Sequence, residues 1–423
     1  MIRYFLKGLI RDRQRSLLPV IVVTIGVMMA VLLQTWVTGV FGDMVDFNAK
    51  FTTGHVKIMS RAYAENRDQM PIDLALTGTG ELKQELSGRW PDVTWVERIQ
   101  FGGLIDVPDS LGETRAQGPA VGMAVDLLSP GTKEIDRLNL VRSLVRGALP
   151  SRPGEILISE DLSQKINAGP GQTVSLITST MYGSMSVSNY TVSGTIRYGV
   201  TILDRGGIVL DLADARFALD MDDAAGEILG YLPSGEYDEV EADSITAQFN
   251  RSYYGDADNF APEMLTLSEQ NDLGAMIEIV NNFGSLIILI FLIALSVVLW
   301  NAGLLGGLRR YGEIGLRIAI GEDKGHVYRS MIYESVLIGI AGSIIGTAIG
   351  LGLAAILSKG IDLGTMLQNS SMMMQSVFRT RITPTSWYIG FIPGLLSTIL
   401  GTMLSGVGIY KRQTASLFKE LQA

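Results

Sequence analysis

Residues able to do chemistry are sparse along the 423 positions of this chain, and few are spaced to act together. It contains no cysteine, which excludes disulfides, thiolate metal sites and cysteine nucleophiles. Acidic clusters at Asp220–Asp223 and Glu236–Asp243 have the charge to attract Ca²⁺ or basic partners. They lack the EF-hand spacing, and a solvated acidic face is the simpler reading. No nucleophile–base pair stands out, so neither catalytic residues nor metal ligands are assigned. There is no G-x-x-x-x-G-K-[ST] string and no Gly-Lys dipeptide, and a P-loop needs that lysine at the phosphates. What stands out instead is mechanical. Glu313 and Arg317 lie at i,i+4 around Ile314, Gly315 and Leu316, and Gly342, Gly346 and Gly350 recur at every fourth position.

Positioning those residues falls to four apolar stretches: Leu17–Phe41, Phe283–Gly306, Ser330–Leu357 and Thr385–Tyr410. Each has 24 to 28 residues, enough at about 1.5 Å per residue to cross a hydrocarbon core of about 30 Å. The fold class expected is therefore a membrane protein of four transmembrane α-helices, with a large α+β extracytoplasmic domain, residues 42–282, inserted between helices 1 and 2. Residues 1–16, 307–329 and 411–423 each carry a net positive charge, which makes their side cytoplasmic under the positive-inside rule. Residues 42–280 hold 18 basic and 36 acidic side chains and account for the net −9 of the chain. The first stretch has a basic flank, but its apolar run exceeds a signal peptide's and lacks a small-x-small cleavage site, so a retained span is expected. His55 and His326, the only histidines, fall on opposite sides of the membrane in this topology, which rules out a His–His metal pair.

The spans carry few ionisable groups: Glu334 sits about a turn inside the third, and Gln34 and Asn301 are polar but neutral. Ion-coupled carriers place carboxylates or histidines at mid-membrane, so these spans read as transmitters of movement. The Gly342–Gly346–Gly350 stripe permits close helix approach, within a subunit or across a dimer. Before the first span, Ile2, Phe5, Leu6, Leu9 and Ile10 recur at helical spacing opposite Arg3, Lys7 and Arg11, the pattern of an in-plane amphipathic helix. Between spans two and three, Glu313–Ile320 suits a short helix with Gly321 as its stop. Its residues fit either a contact pushed by a motor or a plain connector.

The string YGEIGLRIAIGEDKGHVYRSMIYESVLIGIAGSIIG (311–346) resembles the signature of FtsX-like permeases of ABC transporters, which include lipoprotein-releasing permeases and the membrane part of macrolide exporters. Glu313, Ile314, Gly315, Leu316, Arg317, Ala319 and Gly321 fall on the family pattern. Gly312 and Glu322 depart from it, and the tail GIYKRQTASLFKEL (408–421) resembles the family ending without its usual proline. The resemblance implies that Glu313, Ile314, Gly315, Leu316, Arg317 and Gly321 dock on a cytoplasmic ABC ATPase that holds the ATP and Mg²⁺, this chain having no cofactor of its own. Only sixteen residues precede the first span, so that ATPase is expected on a second polypeptide, with two of them serving a homo- or heterodimeric permease pair. The resemblance further implies a multi-pass protein of the bacterial inner membrane with its large domain in the periplasm. Its leading expected cargo is a lipoprotein released toward the outer membrane and a periplasmic chaperone. Efflux through a periplasmic adaptor, or a relay that activates a cell-wall hydrolase, are the alternatives; no nucleic-acid partner is expected.

Within the large domain, GEILISEDLSQKI (154–166) reads as a strand entering a helix. GQTVSLIT (171–178), NYTVSGTIRY (189–198) and GGIVLDLADARFAL (206–219) read as β pieces, the last running into a helix. A strand-rich part is expected as an insertion at about 101–205.

Overall fold

Valine, leucine and isoleucine crowd residues 17–41, and there the chain folds as one helix, Arg13–Asn48, which ends in a single π-turn, Ala49–Thr53. The computed structural model describes residues 13–109, 111–253, 258–270, 273–308, 311–362 and 377–411. The amphipathic segment before residue 13, the tail beyond 411 and most of 370–378 lie outside the described residues. Two units divide the chain. One comprises residues 1–43, 278–361 and 377–423, the other residues 44–277 with 362–376.

In the first unit, helices Leu273–Leu308 and Lys324–Leu357 follow the same apolar logic. The last helix, Ser397–Lys411, is entered through a π-turn, Ile392–Leu396, where Pro393 has no N–H to give to an α-ladder. Three helical stretches among the described residues are long and apolar enough to cross a membrane: Leu17–Thr53, Lys324–Leu357 and Pro384–Val407. A fourth, Asn282–Val298, is shorter, so the expected span Phe283–Gly306 is present as helix but not shown as a full crossing. Val23, Val27 and Val31 of the first helix pack with Leu292, Ile338, Leu351 and Ile389 into the core of this unit.

The other unit is an α+β domain. Its strands are β1 (Val56–Ser60), β2 (Leu76–Thr77), β3 (Thr94–Pro108), β4 (Thr114–Val125), β5 (Leu144–Gly147), β6 (Glu155–Ser159), β7 (Thr173–Ser179), β8 (Met185–Ile196), β9 (Gly207–Asp211), β10 (Ala224–Ala225), β11 (Glu227–Tyr231) and β12 (Pro262–Thr266). Ten of them form one sheet in the order β12-β1-β11-β3-β4-β9-β6-β8-β5, with β7 bridging β3 and β8, while β2 and β10 pair separately. Strand β3 organises the whole. Thr94–Arg98 pair with β11, and Ile99–Pro108 pair with β4 while Gly103–Asp106 also pair with β7. The boundary expected near 101 therefore falls inside a continuous strand, and the one near 205 inside the helix Thr201–Gly206.

Period-2 alternation sends Ile99, Phe101, Ile105 and Val107 of β3 into a core shared with Leu162, Ile166 and Leu210, while Leu104 faces outward. The strand-to-helix turns after β6 and β9 are fixed by caps. Ser159 Oγ accepts from Leu162 N at 3.3 Å, and Asp211 accepts from Ala213 N at 3.0 Å. A second core gathers Val56, Ile58, Trp95, Ile228, Ile245 and Phe249 under the other end of the sheet.

Candidate coupling elbow and helix seam

Residues 311–326 form an elbow. Tyr311–Ala319 is a helix that stops because Gly321 takes φ +99°, a left-handed value that an L side chain resists. Gly321 N donates to Ile318 O and Glu322 N to Arg317 O, both at 3.0 Å, which is the paired bonding of a Schellman ending. Nothing lies within 4 Å of the position a Cβ on Gly321 would take, so backbone conformation alone calls for glycine. Two residues on, Asp323 caps the helix Lys324–Leu357, accepting from Gly325 N at 2.8 Å and His326 N at 3.2 Å. The reversal between two helices is thus made by three consecutive residues.

Arg317 Nε lies 3.3 Å from Glu322 Oε2, and His326 Nε2 lies 3.8 Å from Glu322 Oε1. Glu322, which departs from the family pattern, therefore ties the helix to the turn that ends it. Leu316 is 54 % exposed and Ile320 78 %, two apolar side chains left facing outward at the elbow, whereas Gly315 is buried. Glu313 and Ile314 belong to the same helix; their side chains are outside the described set. Glu334 is half-buried a few turns further along the next helix.

The glycine stripe meets the first helix of its own unit. A Cβ on Gly342 would stand 2.7 Å from Val23 Cβ, one on Gly346 2.6 Å from Thr24 O, and one on Gly350 3.0 Å from Val31 Cβ. Backbone-to-backbone approach of this kind leaves no room for a side chain. Gly390 and Gly394 close on Val27 from the fourth segment, so three helical segments converge on one valine. Above the seam, Gln34 is 5 % exposed and its amide is fully engaged. Its Nε2 donates to Thr38 Oγ1 and Thr383 Oγ1, each at 3.1 Å, and its Oε1 accepts from Ser386 Oγ at 2.6 Å. Arg381 N donates to Thr35 O at 2.9 Å and Thr380 Oγ1 to Ala354 O at 2.7 Å, completing a polar latch between three helical segments. Gln34 is recognisable in the sequence as a polar residue within a span, but its partners are not. Their signal was the capping box that Thr383 and Ser386 form around Pro384.

One residue of each acidic cluster caps a helix. Asp223 accepts from Gly80 N at 2.7 Å, and Asp238 starts the helix Glu239–Asn250 by accepting from Val240 N and Glu241 N. No group of His, Asp or Glu arranged to hold a metal occurs among the described residues. His55 is buried between Tyr231 and Tyr237, and its Nδ1 accepts from Leu232 N at 3.0 Å.

Comparison with known proteins adds two family matches. Residues 16–247 match the model of the MacB-like periplasmic core domain, and residues 285–414 that of the FtsX-like permease C-terminal region. Among curated proteins, a macrolide export ATP-binding/permease protein MacB of Bdellovibrio bacteriovorus is 28 % identical over 93 residues, covering 22 % of this chain and 14 % of that protein. A protein of the same name from Wolinella succinogenes is 34 % identical over 98 residues, covering 23 % of this chain and 13 % of that protein. The matches thus span about a seventh of each relative's length. Among solved structures, the periplasmic region of MacB from Actinobacillus actinomycetemcomitans aligns with a TM-score of 0.35 and 13 % identity, over 55 % of this chain and 96 % of that one.

Proposed function

Because the chain belongs to the FtsX/MacB-like permeases of ABC transporters, its periplasmic core match alone covering more than half of it, we propose that it converts the closing motion of a cytoplasmic ATPase into movement of its periplasmic domain. The observation that carries this reading is the elbow: a short helix with outward-facing Leu316 and Ile320, locked by Gly321, Glu322 and Asp323 onto a helix of 34 residues. Leu316 and Ile320 are suited to an apolar groove on the ATPase, with Glu313, Ile314, Gly315 and Arg317 completing the contact. Motion reaching Lys324–Leu357 passes to Arg13–Asn48 through the glycine seam. ATP and Mg²⁺ belong to the ATPase, which we place on a separate polypeptide working with a pair of permeases. Leu273–Leu308 serves as the fourth crossing, so that the elbow is cytoplasmic and residues 44–277 are periplasmic.

Two cargoes fit. Export of a small amphiphile through a periplasmic adaptor is one, and the words macrolide export in the names of both curated relatives support the export but not the adaptor. Extraction of an acylated lipoprotein draws support from an exposed apolar strip on the outer sheet face, where Leu104, Ile177 and Val187 lie side by side on adjacent strands next to Met185. Purification of the tagged protein from its native membrane in mild detergent, with mass spectrometry of what is retained, separates them. An ATPase with an adaptor supports export and an ATPase with lipoproteins supports extraction. An intact complex without any ATPase would end the coupling reading.

A further inference from the structure

Arg98 has no exposed surface, a placement that costs an arginine heavily unless every N–H finds a partner. Four hydrogen bonds hold its guanidinium. Nε donates to Glu134 Oε2 at 3.0 Å, Nη1 to Phe51 O at 2.8 Å, and Nη2 to Lys50 O at 2.9 Å and the Tyr231 hydroxyl at 3.1 Å. Lys50 and Phe51 lie in the π-turn that continues the first helix without a break. The chain leaves that turn at Gly54, whose φ is +64°, and His55 N donates across to Gly230 O. The carbonyls of Lys50 and Phe51 therefore lie at the carboxyl end of the helix, where helical N–H donors run out and the macrodipole is negative. A buried cation is the matching cap. Glu134 takes Arg137 on its other oxygen, and the Arg137 guanidinium lies 3.8 Å from the Tyr231 ring centroid. Across the sheet Glu227 stands opposite Arg98 in register and pairs with Lys57 at 2.9 Å. Charges of alternating sign thus run Lys57, Glu227, Arg98, Glu134, Arg137 through the interior of the domain.

We propose that Arg98 is a positioning residue: it fastens the carboxyl end of the first helix to β3, so that movement of that helix reaches the periplasmic sheet instead of being lost by swivelling at Gly54. The role in transmission rests on the coupling reading above; the fastening itself does not. With the clasp gone, the helix end would rest on Phe51 packed against Tyr198, on Gln270 Nε2 donating to Thr53 O and on the Tyr231 hydroxyl donating to Lys50 O, a looser attachment next to Gly54, whose positive φ makes it the natural pivot.

The absence of native cysteine makes the test direct. Spin labels at Val40→Cys and Ser129→Cys in the full chain report the helix against the domain, and hydrogen exchange of segments 311–322 and 94–108 reports the response to ATP with orthovanadate in the purified complex. The variants are Arg98→Met and, in case a Glu134 left with Arg137 as its one cation prevents folding, Arg98→Met with Glu134→Met. We expect the label distance distribution to broaden about twofold without nucleotide. The nucleotide response at 94–108 should fall about fivefold while that at 311–322 persists and the domain still unfolds cooperatively. An unchanged distribution overturns the fastening, and an undiminished response at 94–108 overturns the transmission. A wild-type complex in which 311–322 ignores nucleotide would sink the coupling reading and reduce Arg98 to a helix cap, a role that the distance distribution still tests by itself.

Discussion

His55 shows how a single residue can be legible as a letter and opaque as a function. From the sequence it was one of two histidines and excluded a metal pair; what it does depends on Tyr231, Tyr237 and Leu232, all far along the chain. Burial, assisted by Arg137 and Lys50, pushes its pKa down to about 4 from the usual 6.5. The folded protein therefore holds it neutral where the unfolded chain would be protonated. Stability from this group is complete above about pH 6.5, is lost progressively as pH falls toward 4, and changes no further below that. The shift corresponds to roughly 3 kcal/mol. Replacing His55 with Asn retains an acceptor for Leu232 N but removes the titration. Thermal unfolding of the full chain followed from pH 7 to 4 should fall less steeply in His55→Asn than in the wild type; equal slopes would move the pH sensitivity elsewhere. Arg98 was likewise invisible as a joint, because Lys50, Glu134 and Tyr231 meet it only through the sheet pairing.

At the scale of elements, local patterns were readable and long-range pairing was not. The turns after β6 and β9 carry their own caps in Ser159 and Asp211, so strand and helix could be placed from a dozen residues. Strand β3 serves different partners along its 15 residues, and no local signal marks where one ends and the next begins. The glycine spacing told of close approach but left the partner open, and the structure supplies the first helix. Gly346→Val should overpack against Thr24 and Val27 at a cost of about 1–3 kcal/mol, read as a lower melting temperature in detergent. Gly352→Ala, with nothing within 4 Å, should not lower it, since alanine favours the helix. Matched losses in both would mean that backbone flexibility, not the seam, sets stability. The elbow yields a separate expectation. Arg317→Glu replaces the Arg317–Glu322 attraction with repulsion at a half-exposed site, so the stability cost should stay under about 1 kcal/mol. ATP hydrolysis in the assembled complex should nevertheless lose its link to the periplasmic domain. Retained coupling in Arg317→Glu and in Glu313→Lys would remove this segment from the ATPase contact.

For the whole molecule the decisive quantity is the parity of crossings. Charge placed residues 1–16, 307–329 and 411–423 on one side, which demands that the helix Leu273–Leu308 cross; its apolar stretch among the described residues, Asn282–Val298, is the shortest of the four. If it failed to cross, the elbow would share a side with the large domain and could not meet a cytoplasmic motor, whatever its local geometry. Topology and mechanism therefore stand or fall together. Single cysteines at Lys133, Ile320 and Gln422, in a chain with none of its own, decide the matter with a membrane-impermeant maleimide. In intact spheroplasts the Lys133→Cys protein should label, while Ile320→Cys and Gln422→Cys should label only after the inner membrane is opened. Labelling of Ile320→Cys from outside would place the elbow in the periplasm and exclude it as an ATPase contact. Protection of both cytoplasmic probes would mean that a short apolar stretch does span. A helix shorter than the hydrocarbon does so by thinning the bilayer or by packing against neighbours at a modest cost per ångström, and Leu292, buried among Val23, Val27 and Ile338, supplies that packing together with Ile288, Phe291 and Leu295.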